Sequence, residues 1–445
     1  MAAEHRARHF GVLSFTGTGH VNPLIALSQE LKARGHKVTF FEKPKIAGRV
    51  RHAGLNFVPL NNDNQFLKST HPPAANRGIW SDISTLRFNL NRVANDIEMF
   101  LRSAPLTLHR SGVDALIINE VALTGPTIAE LLHLPYFIIS TSVPHNFGWS
   151  PSPWLSPRDY SGSWLDQLQK ILLELSVLRI RGPIRSVIDR YRQQMGLSPV
   201  KYLEKLYPCL AHVTQIPEYL DLPRTAIPGN FHYTGPFVSE SARPSVDFPW
   251  HRLDGRALIY ASLGTTRNVQ PFVFGMIAEA CRGLNAQLII SLGGRFSPEQ
   301  FGALPGDPLV VHYAPQLDLL KLAAIVITHA GPNTVFETLM QGVPMIAIPI
   351  AHDQPAIAAR LTRLELAQAV PPRYLSAEKI RAAVIRLLND PHYRDSAQKM
   401  GARMRSLHGA AHAADIIEVA LAKHEGLPHP SSSPTHSPVY ASVSS

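Results

Sequence analysis

The fold is decided by the stretch Ile-Val-Ile-Thr-His-Ala-Gly-Pro-Asn-Thr-Val-Phe-Glu, residues 325–337, at the centre of a segment from Tyr313 to Gln354. Its β-branched start, Ile325 to Ile327, runs directly into small residues, which predicts a buried parallel strand that ends in a tight turn. A helix is expected from about Thr334. The sequence therefore predicts the strand, turn and helix of an α/β domain.

The turn and the helix start carry the chemistry of an anion site. Small residues such as Gly331 let the backbone approach a ligand closely, and the first amides of a helix, at the positive end of its dipole, bind phosphate. His329, Asn333 and Thr334 add side-chain donors there. Glu337, one turn further on, offers a carboxylate to the two hydroxyls of a ribose.

A second strand and loop extend this pattern. Met345 to Ile348 is another short apolar run, and the following loop presents His352, Asp353 and Gln354. Neighbouring Asp and Gln side chains suit the adjacent hydroxyls of a hexose, because one accepts hydrogen bonds and the other both donates and accepts them. Tyr313 offers an aromatic face for a base. Partners for a base, a ribose, a phosphate and a sugar thus lie within one segment.

This segment resembles the donor-binding segment of the UDP-glycosyltransferases, which use nucleotide sugars. The matching positions are Tyr313-Ala314-Pro315-Gln316, His329-Ala330-Gly331, Asn333-Thr334, Glu337, Gly342-Val343-Pro344 and Asp353-Gln354. The resemblance extends over roughly residues 9 to 425. It implies an α/β chain of the GT-B fold, in which two Rossmann-like domains face each other across the active site and the second domain binds the UDP-sugar.

Two features are closer to the bacterial members of that family than to the plant members. Tyr313 stands where the plant proteins usually have Trp, and the gap from Tyr313 to His329 is shorter. Among the bacterial members the resemblance is closest to the zeaxanthin glucosyltransferases and next to the macrolide glycosyltransferases. It implies a lipophilic hydroxylated acceptor, with a carotenoid such as zeaxanthin as the first choice and a macrolide or other polyketide as the alternative.

Composition sets the broader limits. A chain of 445 residues, 45% hydrophobic and 17% charged, can form two or three domains with large cores. Its net charge of +10 would permit attraction to nucleic acid or anionic lipid, but the basic residues are scattered and no nucleic-acid-binding motif occurs. Cys209 and Cys281 lie far apart, which favours a reducing cytoplasm and predicts neither a disulfide framework nor a metal site. We expect no cofactor beyond the UDP-sugar co-substrate.

The chain opens with a predicted βαβ unit. It consists of a strand Phe10 to Phe15, which is too short for a membrane span, a helix Leu24 to Arg34 and a strand Lys37 to Phe41. In the first loop, Gly17 and Gly19 begin a dinucleotide fingerprint that Glu42 would complete, but Asn22 occupies the third glycine position. An NAD-dependent oxidoreductase therefore stays open as a weak alternative.

The same loop carries a candidate catalytic base. His20 follows the first parallel strand, where open α/β sheets place their ligands, and imidazole can take a proton from a hydroxyl near neutral pH. Within the resembled family this is the position of the base. The family usually places an orienting Asp after the strand Ala115 to Ile118, but this chain has Asn119 followed by Glu120. The sequence leaves open whether Asn119, Glu120 or neither side chain orients the histidine. The alternative to a catalytic role for His20 is that it caps a helix.

Two further segments bear on the acceptor. Residues 141–164 are rich in proline and hold Trp149, Trp154 and Trp164, which would cover either a bulky apolar acceptor or simply the core. A basic helical stretch from Leu165 to Met195, interrupted by Pro183, leaves a peripheral membrane contact open beside an ordinary solvated helix face. We expect a cytoplasmic protein.

The remaining patterns predict the domain organisation. Residues 1–237 form the acceptor-binding domain, 238–255 a linker, 256–425 the UDP-sugar-binding domain and 426–445 a disordered tail rich in Ser and Pro. The second domain opens with a strand from Ala257 to Leu263, and the following Gly264 and Thr265 are expected to serve the donor. Its last helix, predicted from Tyr393 to Lys423, crosses back to the first domain in the resembled family.

These observations predict an inverting glycosyltransferase that moves a hexose, with glucose as first choice, from a UDP-sugar to a hydroxyl of the acceptor. His20 would deprotonate the hydroxyl, and the amides at the helix start would stabilise the leaving diphosphate. A UDP-sugar-binding protein without transferase activity is the alternative that Asn119 leaves open.

Overall fold

The structure is a computed structural model and describes residues 6–60, 79–144, 182–199, 209–221, 224, 227–241, 243, 245–265 and 270–426, with the backbone alone for 79–91. Three segments that the sequence singled out lie wholly or mostly outside these residues: the Trp-rich loop, the first half of the basic helix and the tail after Gly426. The described part of the chain forms two parallel β-sheets with helices between the strands.

The first sheet has seven strands in the order β3-β2-β1-β4-β5-β6-β7, all parallel. The strands are β1 (His9–Leu13), β2 (Lys37–Glu42), β3 (Asn56–Pro59), β4 (Ala115–Asn119), β5 (Tyr136–Ser140), β6 (Ala211–Thr214) and β7 (Phe231–Tyr233). The helices are α1 (Thr18–Ala33), α2 (Ala47–His52), α3 (Ile79–Ser111), α4 (Gly125–Leu131) and α5 (182–194). Every residue of β1, β4 and β5 is buried, which explains their unbroken apolar sequences.

The second sheet has six parallel strands in the order β10-β9-β8-β11-β12-β13. They are β8 (Ala257–Ser262), β9 (Ala286–Ser291), β10 (Leu309–Val311), β11 (Ala323–Thr328), β12 (Met345–Ala347) and β13 (Ala367–Ala369). The helices are α6 (Phe272–Cys281), α7 (Gln316–Leu322), α8 (Pro332–Met340), α9 (Gln354–Arg363), α10 (Ala377–Asn389), α11 (Pro391–Arg405) and α12 (Gly409–Gly426). Two facing doubly wound sheets of this kind are the GT-B arrangement expected from the sequence.

The strand orders fix where a ligand can bind. In each sheet the order reverses beside the first strand, between β1 and β4 and between β8 and β11. Open α/β sheets bind ligands in the crevice outside the carboxyl ends of the strands at such a point. The predicted domain limits stay predictions, although the first sheet ends at Tyr233 and the second begins at Ala257.

The end of the chain differs from the sequence prediction. The single helix predicted from Tyr393 to Lys423 is two helices, because His408 takes a left-handed backbone conformation (φ 46°) between α11 and α12. A side chain at Gly409 would place its Cβ 2.2 Å from the Gly235 carbonyl oxygen, so the chain can pass the first sheet this closely only with glycine. Helix α12 then packs on α1 of the first domain, where Ile417 joins the core of the first sheet.

This return of α12 predicts a large stability effect at a single position. Ile417 is 0% exposed, and its replacement by Ala leaves a cavity in the first core, so Ile417→Ala should lower the free energy of unfolding by about 2–5 kcal/mol. The control is Val419→Ala on the same helix, because Val419 is 54% exposed and should cost at most about 0.5 kcal/mol. Chemical denaturation measures both; equal effects would contradict the packing of α12.

Candidate active site

A cavity of about 480 Å³ lies between the carboxyl ends of the two sheets. His20 lines it, as do all the predicted donor-binding residues: Gly264, Thr265, Tyr313, Ala314, Gln316, His329, Gly331, Asn333, Thr334, Glu337, Asp353 and Gln354. Asn119 and Glu120 lie behind its wall, at 1% and 9% exposure. The fold therefore brings together residues that are more than 300 positions apart in the chain.

His20 lies on a helix rather than in the predicted loop. Helix α1 begins at Thr18, not at Leu24, and contains Pro23, so the histidine is in its first turn. The His20 Nδ1 atom is 2.7 Å from the Thr141 hydroxyl oxygen, and the half-exposed ring of Phe15 lies edge-on at 5.6 Å. One ring nitrogen of His20 is thus in contact with Thr141, and the side chain lines the cavity.

Asn119 connects to His20 through Thr141. The Asn119 Oδ1 accepts from the backbone amide of Val121 at 3.2 Å, so its Nδ2 donates to the Thr141 hydroxyl at 3.0 Å. Asn119, a sequence candidate for orienting the histidine, therefore reaches His20 through the Thr141 hydroxyl, to which it donates. A neutral amide in this place adds no charge that would stabilise imidazolium.

Glu120 faces a different group of residues. Its carboxylate accepts a hydrogen bond from the Ser140 hydroxyl at 2.6 Å, and that hydroxyl is 2.6 Å from His212 Nε2. All three side chains are buried. Glu120 therefore belongs to a polar network beneath the carboxyl edge of the first sheet, where sequence alone could not place it.

On the facing wall, α8 begins at Pro332, two residues before the predicted start. Gly331 precedes it in extended conformation, and Ala330 is held in the left-handed region at φ 63°, an uncommon conformation that often marks functional sites. The backbone amides of the first turn are thereby presented to the cavity with the positive end of the helix dipole. Thr334 lies in this turn and also lines the cavity.

The His329 side chain is more enclosed than that of a phosphate-binding residue in contact with solvent would be. Added Cβ atoms at Gly264 and Gly331 would fall 2.5 Å and 2.4 Å from its ring, so the imidazole is enclosed between two glycines. Burial lowers its pKa from 6.5 to about 4. The ring is thus neutral at pH 7, so the positive potential at this wall of the cavity comes from the backbone amides at the start of α8 rather than from His329.

The Glu337 carboxylate is 3% exposed and already holds two partners. It accepts from Arg243 through a short ion pair and from Gln316 Nε2 at 2.6 Å. A carboxylate offers about four acceptor positions, so two ribose hydroxyls could still be accommodated. Arg243 is a residue that the sequence analysis missed, and no pattern in the linker sequence distinguishes it.

The loop after β12 is organised by its own side chains. Gln354 Oε1 accepts from the amides of Ile350 and Ala351 at 2.8 Å and 2.9 Å, which leaves its NH₂ group for a hydroxyl in the cavity. Asp353 Oδ2 accepts from the amide of Val143 in the first domain at 3.3 Å. The predicted hexose partners therefore lie at the junction of the two domains.

Thr141 was missed because the sequence analysis read its segment as a loop over the acceptor. A positional signal was present nonetheless: Thr141 immediately follows β5, and the first polar residue after a parallel strand tends to face the ligand crevice.

Glu42 is the acidic residue that the NAD-dependent alternative would require in the cavity. Glu42 is 1% exposed, burial raises its pKa to about 7, and it does not line the cavity.

The fold is the GT-B arrangement, in which two facing doubly wound sheets enclose one cavity, and His20 of the first domain faces the start of α8 across it. The model of the family "UDP-glucoronosyl and UDP-glucosyl transferase" matches residues 63–429. This chain belongs to that family and is a UDP-glycosyltransferase.

Individual relatives are distant but cover nearly the whole chain. The chain is 28% identical to the zeaxanthin glucosyltransferase of Pantoea ananas over 93% of its own length and 96% of the relative's. It is 27% identical to the demethyllactenocin mycarosyltransferase of Streptomyces fradiae, over 94% and 87% respectively.

Solved structures show the same fold. The glycosyltransferase of kitacinnamycin superposes with a TM-score of 0.73 at 23% identity, covering 93% of this chain and 99% of that one. The calicheamicin glycosyltransferase CalG4 superposes with a TM-score of 0.70 at 23% identity, covering 94% and 99%. Among the residues described here, no helix has the length and apolar character to cross a membrane.

The buried His329 predicts a specific pH dependence of stability. Because its folded pKa of about 4 is below the unfolded value of 6.5, the unfolded chain binds a proton that the folded protein does not, and stability is lost as pH falls from 6.5 towards 4. Between pH 7 and pH 5, wild-type protein should lose about 2 kcal/mol more than His329→Gln. Denaturation at both pH values tests this, with the exposed His251→Gln as control; equal losses in wild type and His329→Gln would contradict it.

The Asn119–Thr141–His20 contact predicts a shift in the pH profile of transfer. Asn119→Asp puts a carboxylate next to the Thr141 hydroxyl, and a negative charge there favours imidazolium. The acidic limb of kcat against pH should move to higher pH by up to about one unit, with the donor KM unchanged. Asn56→Asp, on edge strand β3, adds the same charge far from the site and should leave the profile unmoved; a profile that also stays fixed in Asn119→Asp would contradict the connection.

Proposed function

We propose that the protein transfers a hexose, with glucose as first choice, from a UDP-sugar to a hydroxyl of a lipophilic acceptor with inversion at the anomeric carbon. The observation that carries the proposal is the placement of His20 on one wall of the cavity and of the α8 start, Glu337 and Asp353 on the other. A base and a donor site face each other across one cavity, so that the two substrates can meet.

The transfer step uses residues of both walls. His20 takes the proton of the acceptor hydroxyl while that oxygen attacks the anomeric carbon on the face opposite UDP. The bond from this carbon to the diphosphate oxygen breaks, and its electron pair leaves with UDP. Amides of the first turn of α8, with Thr334, stabilise the charge that develops on the diphosphate. No step of the proposal uses a metal or a further cofactor.

The nucleotide sugar is held along the second sheet. Tyr313, half-buried just after β10, stacks on the uracil ring of UDP. Glu337, beside Gln316, accepts hydrogen bonds from the ribose hydroxyls. Asp353 and the free NH₂ group of Gln354 bind hexose hydroxyls. The bound sugar then lies between the α8 start and His20.

The acceptor we propose is a hydroxylated carotenoid such as zeaxanthin. Phe15, 51% exposed and edge-on to His20, gives the acceptor side of the cavity an apolar surface next to the base. The similarity to a zeaxanthin glucosyltransferase supports this choice. A macrolide is the second candidate, favoured by the similarity to a mycarosyltransferase over nearly the whole chain. Contact with a membrane surface, from which a carotenoid would be taken, is part of the first proposal only.

The test is UDP release by the purified protein with UDP-glucose, with zeaxanthin in detergent or with a macrolide aglycone, followed by mass analysis of the products. We expect a hexose added to zeaxanthin, and a loss of about 10²-fold or more in kcat for His20→Gln, because the base is removed while donor binding is kept. Addition to the macrolide alone would select the second acceptor. No transfer by wild type to either compound, or full transfer by His20→Gln, would contradict the proposal.

A further inference from the structure

A chain of hydrogen bonds crosses the cavity wall from the donor helix to the base. Asn333 in the first turn of α8 donates through Nδ2 to the carbonyl oxygen of Gly19 at 2.6 Å, and its Oδ1 accepts from Gln215 Nε2 at 2.8 Å. The same Gln215 nitrogen donates to the Thr141 carbonyl oxygen at 2.7 Å. The Thr141 hydroxyl in turn lies 2.7 Å from His20.

Gly19 has a carbonyl group free for this contact because of Pro23. In a helix the carbonyl of residue 19 would accept from the amide of residue 23, and proline has no N–H to donate. The Asn333 amide of the other domain supplies the missing hydrogen bond, directly before His20 in the chain. The base is thereby held at two points: at the preceding backbone carbonyl and at the ring.

Gln215 is built to hold one geometry. It is 1% exposed and immediately follows β6, and its Oε1 accepts from the amide of Phe237 at 3.3 Å. The two hydrogens of its NH₂ group go to Thr141 and Asn333, so the amide has partners on both ends and its orientation is fixed. Such a fully used buried amide positions the groups that it touches.

We propose that Gln215 and Asn333 form a cross-domain clamp, in which Gln215 is a positioning residue that fixes His20 relative to the start of the donor helix. This inference rests on the proposed function, in which His20 is the base. It also gives Asn333 a role different from the diphosphate contact predicted from the sequence, because both ends of its side chain are already engaged with the first domain.

The kinetic test compares two variants. Gln215→Met keeps the length of the side chain but loses its hydrogen bonds, and Asn333→Ala removes the hydrogen bonds of the partly exposed Asn333 side chain to Gly19 and Gln215. We expect kcat to fall about 10- to 100-fold in each variant, because small displacements of reacting groups cost this much, while the KM for UDP-glucose stays within about twofold. The double variant should lose little more than either single one. The control is Gln287→Met, whose amide donates to the Arg252 carbonyl at 2.7 Å away from the cavity; its kcat should not change.

A second measurement needs no acceptor. Nitrogen-15 NMR of the His20 imidazole in the unliganded protein, assigned with His20→Gln, should show a single neutral tautomer protonated at Nδ1 in wild type and in Gln287→Met. It should show a mixture of tautomers in Gln215→Met and Asn333→Ala. If wild type transfers no hexose, the proposed function fails, and this measurement still decides the clamp. Unchanged imidazole signals in both clamp variants would overturn the proposal, as would a raised donor KM with unchanged kcat in Asn333→Ala.

Discussion

The candidate active site depends on one geometric constraint, which is that parallel strands end on the same edge of a sheet. In the first sheet the residues at or after the carboxyl ends of β1, β4, β5 and β6 include His20, Asn119, Thr141 and Gln215. Because these four strands are consecutive in the sheet, side chains far apart in sequence lie next to one another at its carboxyl edge. The second sheet applies the same rule and presents the start of α8 after β11. A transferase needs its base and its leaving-group site on opposite sides of one carbon, and two facing sheets provide this arrangement.

Burial gives the two site histidines different chemistry. His20 is half-exposed, touches Thr141 and faces the cavity, whereas His329 is enclosed by Gly264 and Gly331 and has a pKa lowered to about 4. His329 is therefore a neutral, enclosed side chain at pH 7, whereas His20 is the histidine that faces the cavity. At the proposed diphosphate position the positive potential then comes from backbone amides at the start of α8, which need no titrating group.

The sequence predicted the strands well, because these depend on local patterns such as apolar runs and glycines in turns. The residues between 313 and 354 that it assigned to the donor line one cavity, and their role in donor binding stays a prediction. Sequence-based prediction failed where tertiary contacts decide. Helix α1 begins at Thr18 and contains Pro23, whereas sequence rules place a proline near the first turn and therefore predicted a later start. The helix break at His408 occurs because Gly409 passes close to the backbone of Gly235. Glu120 and Gln215 could not be assigned from sequence, because their partners come from strands β5 and β6 and from α8. The orientation of Asn119 depended likewise on the amide of Val121 and on Thr141.

The central claim is that the second sheet binds the nucleotide, with the diphosphate at the start of α8 and His20 opposite. A crystal structure of the protein with UDP tests it most directly. The account predicts diphosphate oxygens within about 2.7–3.2 Å of the first-turn amides of α8. It also predicts that the uracil ring stacks on Tyr313 and that a ribose hydroxyl donates to Glu337. A diphosphate bound instead at the Gly17–Gly19 turn of the first domain, where a dinucleotide fold would hold it, would contradict the account.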